Sequence, residues 1–210
     1  MRLVLASHNP GKLAELQSLF APLGMQLVGQ GRLDIGEADE PHATFIENAL
    51  AKARHAAAAA AGPAIADDSG LVVDALGGAP GVASAHYASI DRHDGGDREA
   101  RRRVQDAANN ALLLERMRGQ GDRSARFVST LVAVRSTVDP EPLVAVGRWP
   151  GEIAWSPRGE GGFGYDPLVY IPALAKTVAE LGAAVKNSVS HRALAAQQML
   201  ALMREVWRLG

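Results

Sequence analysis

The sequence predicts an α/β fold: a mixed, twisted sheet that contains a long hairpin and is flanked by helices. In the first third of the chain, short apolar runs alternate with segments of helical periodicity, which is the strand–helix–strand order of parallel strands. Further along, two strand-like runs at 126–138 and 143–147 are separated by Pro140-Glu141-Pro142, which predicts a hairpin. A hairpin that extends past the helical layers predicts two lobes around a central cleft, within a single domain over residues 1–210.

The first elements follow from caps and periodicity. Residues 3–6 predict a buried strand, and Asn9 followed by Pro10 predicts a helix start. The apolar residues of this helix recur at helical spacing: Leu13, Leu16, Phe20 and Leu23. Gly24 favours its end, and residues 25–28 predict a second strand.

An acidic loop at 29–42 precedes the next helix. Thr44 and Glu47 have the spacing of a capping box, so they predict a helix start, and Gly62-Pro63 ends that helix. The apolar run 64–66 then predicts a short buried strand that ends at two acids, and we expect residues 71–73 to continue in an extended conformation.

The remaining elements are a helix, the hairpin, a short strand and a final helix. Asp97 is a favoured cap for a helix that runs to about Met117. After the hairpin, which can continue to Ile153, residues 168–171 predict a strand. Ser190 predicts the start of the last helix, whose apolar face comprises Ala195, Met199, Leu202, Val206 and Leu209.

The composition is that of an ordinary globular protein. Of 210 residues, 47% are apolar and 21% charged, with a formal net charge of −1, so we expect no nucleic-acid partner. The absence of cysteine excludes disulfides, thiolate metal sites and a cysteine nucleophile. The N-terminus does not resemble a signal peptide, and the alanine run at 56–61 is shorter than the roughly 20 residues of a membrane span. We therefore expect no membrane partner and a cytoplasmic location.

Two helix starts have the features of anion sites. Within Ser7-His8-Asn9-Pro10-Gly11-Lys12, the first helical N–H groups carry partial positive charge, and Lys12 opposes the helix dipole unless an anion is present. The same arrangement recurs at Ser190-His191-Arg192, with Lys186 just upstream. Two such starts favour a shared polyanion. The alternatives are a capped helix with a solvated lysine and a basic surface patch.

Two further segments carry candidate functional groups. Asp67 and Asp68 follow a strand, where paired acids are typical magnesium ligands or general bases, with Glu40 as a second ligand. In residues 161–167, glycines allow a flat ligand to approach, and Phe163 or Tyr165 can stack on a base. The alternatives are turn residues for the acids and core aromatics in a tight turn. Together, the segments predict a nucleoside triphosphate bound with magnesium.

Six segments in this order resemble the inosine/xanthosine triphosphate pyrophosphatase family, and the resemblance covers essentially the whole chain. They are Ser7-His8-Asn9-Pro10-Gly11-Lys12, Thr44-Phe45-Ile46-Glu47-Asn48-Ala49, Ala66-Asp67-Asp68-Ser69-Gly70-Leu71, Gly77-Gly78-Ala79-Pro80-Gly81, Gly162-Phe163-Gly164-Tyr165-Asp166-Pro167 and Ser190-His191-Arg192. The resemblance implies a homodimeric, Mg²⁺-dependent enzyme that hydrolyses ITP, dITP or XTP to the monophosphate and pyrophosphate.

The resemblance also implies roles for particular residues. Asp68 would activate water and contact the metal, with Glu40 as the second metal acid. The phosphate chain would be bound by Ser7, His8, Asn9, Pro10, Gly11 and Lys12, and Ser69 would lie beside the substrate. The base and sugar would be contacted by Phe163, Gly164, Tyr165, Asp166, Lys186, His191 and Arg192.

Some expectations go beyond the resemblance or depart from it. Arg192 is donor-only, so pointed at the C6 carbonyl of hypoxanthine or xanthine it would favour these bases over adenine. His8 and His86 depart from the family pattern, and His8 either contacts phosphate or points to solvent. A nucleotide sensor without turnover and a hydrolase of modified pyrimidine triphosphates are the competing functions.

Overall fold

The computed structural model describes residues 2–21, 24–90 and 98–209. Helices and strands alternate through much of the chain, as an α/β fold requires. Their order is β1 (Arg2–Leu5), α1 (Pro10–Phe20), β2 (Gln26–Gly29), α2 (Phe45–Ala60), β3 (Ala64–Val73), α3 (Arg98–Arg116), β4 (Ser124–Val134), β5 (Leu143–Ile153), β6 (Val169–Ile171), β7 (Lys176–Thr177), α4 (Ala183–Val189) and α5 (His191–Glu205).

These seven strands form one mixed sheet in the order β2-β1-β3-β4-β5-β6-β7. β1 pairs in parallel with β2 and β3, whereas β6 pairs antiparallel with β5 and β7. β4 and β5 are neighbours, as the predicted hairpin requires. The mixed α/β class is thereby confirmed.

The chain divides into two compact units. Unit 1 comprises the described residues of Met1–Ser69, Val128–Arg148 and Asn187–Gly210, and unit 2 those of Gly70–Phe127 and Trp149–Lys186. The expected single domain with two lobes and a central cleft stays a prediction.

Unit 1 has two apolar clusters. In the first, Leu16 and Phe20 of α1 and Met199 of α5 pack with strand residues such as Leu3 and Leu5. The second is built on small side chains of α2, which let the helix pack closely. They are Ala49, Ala53, Ala56 and Ala57.

Unit 2 has its own core. Leu113 and Met117, at the end of α3 and just beyond it, pack with apolar side chains from the strands and the 165–168 segment. These are Leu71, Val73, Phe127, Trp149, Ile153, Tyr165 and Leu168.

The predicted caps are confirmed. Asn9 Oδ1 accepts hydrogen bonds from the first turn of α1, Thr44 Oγ1 accepts from Glu47 N at 3.3 Å, and Ser190 Oγ accepts from Ala193 N at 3.2 Å. The Glu47 carboxylate, however, accepts the Thr44 hydroxyl proton at 2.6 Å rather than reaching the backbone of the cap. Leu23 and Asp97 lie outside the described residues.

Several element bounds differ from the predictions. β3 does not end at residue 66 but continues through both acids to Val73. β4 ends at Val134 because Asp139 accepts hydrogen bonds from Arg135 N and Glu141 N and so closes a turn. The short elements β7 and α4 were not predicted.

Candidate active site

The two acids of β3 serve different sets of cations. Adjacent residues of a strand point to opposite faces, so the side chains of Asp67 and Asp68 diverge. Both are buried, at 1% and 6% exposure. Buried carboxylates have to be paired with cations or hydrogen-bond donors, and each acid has its own. The acids therefore lie inside the strand, beyond its predicted end, and the alternative interpretation as turn residues is wrong.

Asp67 is the centre of a buried ion network in unit 1. Its Oδ2 lies 2.9 Å from Lys12 Nζ and 3.2 Å from an Arg192 guanidinium nitrogen. The Ser129 hydroxyl donates to Oδ1 at 2.6 Å, and the Ser69 hydroxyl donates to Oδ2 at 3.0 Å. Burial alone would raise the pKa of Asp67, but Lys12, Arg192 and Ser129 hold it far below its usual range. Asp67 is therefore ionised and already fully engaged.

Arg192 is held inside the same network. Its side chain is 2% exposed, and its guanidinium donates to Asp67, Glu15 and, at 3.0 Å, to Ser69 Oγ. A contact with a purine would require the guanidinium to leave these partners. The geometry supports a structural role for Arg192, and base recognition by it stays a prediction.

Asp68 faces a lysine that the sequence reasoning missed. Lys52 Nζ of α2 donates to Asp68 Oδ1 at 2.7 Å and to Glu40 Oε2 at 2.8 Å. The signal was present in the sequence: Lys52 falls on the buried face of α2, four residues from Asn48 and from Ala56. A lysine on an apolar helical face needs anionic partners, and here the two predicted metal acids provide them, buried Asp68 and the more exposed Glu40.

The second oxygen of Asp68 remains open. Asp68 Oδ2 is buried and has no hydrogen-bond partner in the described part of the chain. Burial raises the pKa of Asp68 to about 6, although Lys52 and Lys12 act in the opposite direction. A carboxylate with a raised pKa and one unoccupied oxygen has the properties of a general base.

Glu40 and Asp68 also fit a divalent cation. Their oxygens converge on one ammonium, so a cation can be shared between them. Among residues 2–21, 24–90 and 98–209 no group of three or more His, Cys, Asp or Glu side chains could hold a metal. Mg²⁺ suits such a sparse set, because it usually takes one or two carboxylates and fills its shell with water and phosphate oxygens.

The Ser7–Lys12 segment is organised by its cap. Asn9 Oδ1 accepts from Gly11 N at 2.9 Å and from Lys12 N at 3.2 Å, and Ser7 Oγ accepts from Asn9 N at 3.1 Å. Pro10, the first helical residue, has no N–H. The helical N–H groups predicted to bind phosphate are thus already satisfied within the segment. Phosphate binding by this segment stays a prediction, and it would depend on the helix dipole and on Lys12.

Lys12 and His8 complete this segment. Burial lowers the pKa of Lys12, as do Lys52 and Arg192, while Asp67 raises it. His8 Nδ1 lies 2.9 Å from Gln30 Nε2, and a Cβ on Gly31 would approach the imidazole to 2.9 Å. The ring packs on the Gln30–Leu33 turn and does not simply point to solvent, and its contact with phosphate stays a prediction.

In unit 2, the 162–166 segment is tied together by Asp166. Asp166 Oδ2 accepts from Phe163 N at 2.9 Å and from Lys186 Nζ at 2.7 Å. Lys186 Nζ also lies 4.6 Å from the centre of the Phe163 ring. Gly162 is required here, because its φ is +74° and a Cβ would fall 2.0 Å from Asp166 Oδ2.

The two aromatic candidates differ. Tyr165 is buried, and its hydroxyl donates to Ser84 O at 3.0 Å, so it belongs to the core of unit 2 as the alternative interpretation had it. Phe163 is only partly buried, and its stacking on a base stays a prediction. Gly164 is bonded through both of its backbone groups to α3.

The predicted residues thus fall into two groups. Unit 1 brings together Lys12, Glu40, Asp68, Ser69 and Arg192, with Asp67 and Lys52 between them. His191 is buried at the start of α5 in the same unit. Unit 2 brings together Phe163, Asp166 and Lys186.

Relatives with the same length and fold are known. A family model described as the Ham1 family matches residues 3–202. The dITP/XTP pyrophosphatase of Methylibium petroleiphilum is 67% identical over 207 residues, covering 99% of each chain. That of Leptothrix cholodnii is 67% identical over 212 residues, covering 100% of each chain.

Solved structures agree with these sequences. A HAM1 protein from Coxiella burnetii superposes with a TM-score of 0.86 at 40% identity, covering 98% of this chain and 100% of its own. The Staphylococcus aureus Ham1 protein gives a TM-score of 0.81 at 35% identity, covering 98% and 99%. The resemblance inferred from six sequence segments is confirmed, and the chain belongs to the Ham1 family.

Proposed function

We propose that this protein hydrolyses the non-standard purine triphosphates ITP, dITP and XTP to the nucleoside monophosphate and pyrophosphate, and so removes deaminated purines from the nucleotide pool. The observation that carries the proposal is the open oxygen of Asp68 beside Lys12 and Lys52. The names of the Methylibium and Leptothrix relatives, dITP/XTP pyrophosphatase, support the substrate class.

Asp68 is the general base of the proposed reaction. Lys52 fixes Oδ1, so Oδ2 is left to accept a proton from water. The water oxygen forms a bond to the α-phosphorus as the bond to the pyrophosphate oxygen breaks. With a pKa of about 6, Asp68 is mostly ionised at neutral pH and is a stronger base than an ordinary aspartate.

Lys12 is the proposed phosphate contact. Its ammonium is paired with Asp67, so a bound phosphate chain has to share or replace that carboxylate. Asp67 keeps its remaining partners, Arg192 and Ser129, and stays ionised. Asp67 raises the pKa of this buried lysine and so favours the charged form that a polyphosphate needs, whereas burial acts in the opposite direction.

Mg²⁺ is the proposed cofactor, held by Glu40 and Asp68. When bound, it would neutralise charge on the phosphate oxygens. Titration calorimetry of Mg²⁺ into the wild type and into Glu40→Gln tests the assignment. We expect weaker binding by the variant, and equal affinities would contradict a role for Glu40.

The assembly and location are proposals from the resemblance and the composition. For a homodimer, light scattering should give twice the 22.1 kDa mass of the chain, and a single-chain mass would contradict it.

Among the residues that the structure describes, no helix is long and apolar enough to cross a membrane. A cytoplasmic location is tested by cell fractionation, and the absence of a nucleic-acid partner by gel-shift with duplex DNA and RNA.

A nucleotide panel with Mg²⁺ tests the function. We expect pyrophosphate and the monophosphate from ITP, dITP and XTP, with little from ATP. No product would favour the nucleotide sensor, and faster turnover of modified pyrimidine triphosphates would favour the second alternative. Orthophosphate as the sole product would contradict cleavage between the α and β phosphates.

A further inference from the structure

One stripe of α3 holds the backbone of the 162–166 segment. Asp106 and Asn110 are four residues apart, so their side chains lie on one face of the helix. Asp106 Oδ2 accepts the N–H of Gly164 at 3.0 Å, and Asn110 Nδ2 donates to the carbonyl of Gly164 at 2.9 Å. Both peptide groups that flank Gly164 are therefore bonded to the same helix.

The same stripe reaches the aromatic ring. Arg102 is one turn before Asp106, and its Nε lies 3.8 Å from the Asp106 carboxylate. Its guanidinium carbon lies 4.9 Å from the centre of the Phe163 ring. Gly164 has a φ of +62°, and a glycine can readily adopt other backbone conformations. The hydrogen bonds to α3 are therefore needed to keep Gly164 in this conformation. The stripe thus restrains both the backbone and the side chain beside it.

The side chains of Asp106 and Asn110 both form hydrogen bonds with Gly164. Asp106 is three-quarters buried, and burial raises its pKa while the Gly164 N–H and Arg102 lower it. Asn110 Oδ1 is buried and has no partner in the described part of the chain, so the hydrogen bond to Gly164 is the contact that favours an amide at this position.

We propose that Asp106 and Asn110 are positioning residues that set affinity for the purine base. They fix the peptides of Gly164 and thereby present Phe163 to the base. The identity of the ligand rests on the proposed function. We call Asp106 and Asn110 the Gly164 clamp, and their positioning role follows from their hydrogen bonds to Gly164.

Two ligands separate base affinity from phosphate affinity. Inosine monophosphate carries the base, and tripolyphosphate carries only the phosphate chain. We expect Asn110→Leu and Asp106→Leu to weaken inosine monophosphate binding by about fivefold to tenfold, the effect of one hydrogen bond, and to change tripolyphosphate binding less than twofold. In turnover, the KM for ITP should rise by the same factor as the loss of monophosphate affinity, with kcat changed less.

Conservative and control variants separate positioning from general damage. Asp106→Asn keeps an oxygen that can accept the Gly164 N–H, so it should retain most of the monophosphate affinity that Asp106→Leu loses. Arg103→Ala, on the exposed face of α3, should change the affinity for neither ligand. If Asp106→Leu fails to fold, Asn110→Leu and Asp106→Asn carry the test.

The outcomes are distinct. The clamp is overturned if Asn110→Leu binds inosine monophosphate with unchanged affinity. It is also overturned if a variant with a normal melting temperature binds both ligands equally more weakly. A wild type that binds tripolyphosphate but no inosine monophosphate also overturns it. One outcome would support the clamp and contradict the proposed function: the wild type binds inosine monophosphate but does not hydrolyse ITP, and Asn110→Leu no longer binds the monophosphate.

Discussion

At the scale of single residues, the pKa values of the neighbouring carboxyls of Asp67 and Asp68 are shifted in opposite directions. Asp67 has two cations and two hydroxyl donors, which keep the pKa of its carboxyl far below the usual range. Asp68 has Lys52 on one oxygen and, among the residues that the structure describes, no hydrogen-bond partner on the other, and burial raises its pKa to about 6. The strand geometry that separates the two side chains is what allows one to organise cations and the other to act as a base.

The first prediction concerns Lys52. Its ammonium lowers the pKa of Asp68, so Lys52→Met should raise that pKa. Because the base must be ionised, activity is lost as the pH falls through this pKa, and the acid limb of kcat/KM against pH should move to higher pH by about 1 unit or more. Arg54→Met, an exposed cation of the same helix, is the control. An acid limb that stays in place or moves to lower pH would contradict the role of Lys52.

The second prediction concerns Arg192. Arg192→Ala leaves Asp67 and Glu15 buried with one cation fewer, so the free energy of unfolding should fall by about 3–5 kcal/mol. Urea denaturation measures this, with the exposed Arg204→Ala of the same helix as control. A stable Arg192→Ala that loses ITP turnover far more than ATP turnover would instead favour base recognition.

The sequence predicted the chemical character of these residues better than their partners. Lys12 was identified because a cation in the first turn of a helix opposes the helix dipole. Asp68 was identified as one of two acids after an apolar run, and the family resemblance singled it out. Lys52 was missed because its role depends on Asp68 and Glu40, which are 16 and 12 residues away. The satisfaction of the Gly11 and Lys12 N–H groups was also missed, although the cap at Asn9 was predicted.

At the scale of elements, α5 is positioned by a glycine of β5. A Cβ on Gly147 would lie 1.9 Å from His191 O and 2.6 Å from Ala195 N. The helix that carries His191 and Arg192 therefore packs directly on the strand backbone, and only glycine leaves room for it. Local signals predicted both elements but could not indicate this contact, because it joins residues more than 40 positions apart.

The third prediction follows from this contact. Gly147→Ala forces α5 away from β5, and we expect a loss of about 1–3 kcal/mol or more in the free energy of unfolding. Gly36→Ala, where an added Cβ meets nothing within 4 Å, is the matched control in the same unit. Thermal denaturation of both variants measures the difference. Equal melting temperatures would show that α5 is not held where the structure has it.

The length of β3 illustrates which element bounds a sequence can predict. Two adjacent acids favour a turn by local preference, yet β3 runs through them to Val73. The strand continues because Lys12, Arg192 and Lys52, from three other segments, balance the two charges. The starts of α1, α2 and α5 were predicted correctly because a cap is a local interaction within about three residues.

At the scale of the whole molecule, each of the two compact units carries its own group of candidate site residues. Unit 1 carries the proposed base, the metal acids and the phosphate cation, and unit 2 carries the aromatic segment held by α3. The fold and the family agree with structures at 35–40% identity. The six segments that suggested the family come from both units, so the resemblance does not rest on a single motif.

Pyrophosphate release from ITP with Mg²⁺, by the wild type and by Asp68→Asn, tests the central claim most directly. Asparagine keeps an oxygen for Lys52 but cannot take a proton from water, so turnover should fall by about 100-fold to 10,000-fold with little change in melting temperature. Asp122→Asn, at an exposed position, should leave turnover unchanged. Near-normal pyrophosphate release by Asp68→Asn would contradict the assignment of Asp68 as the general base.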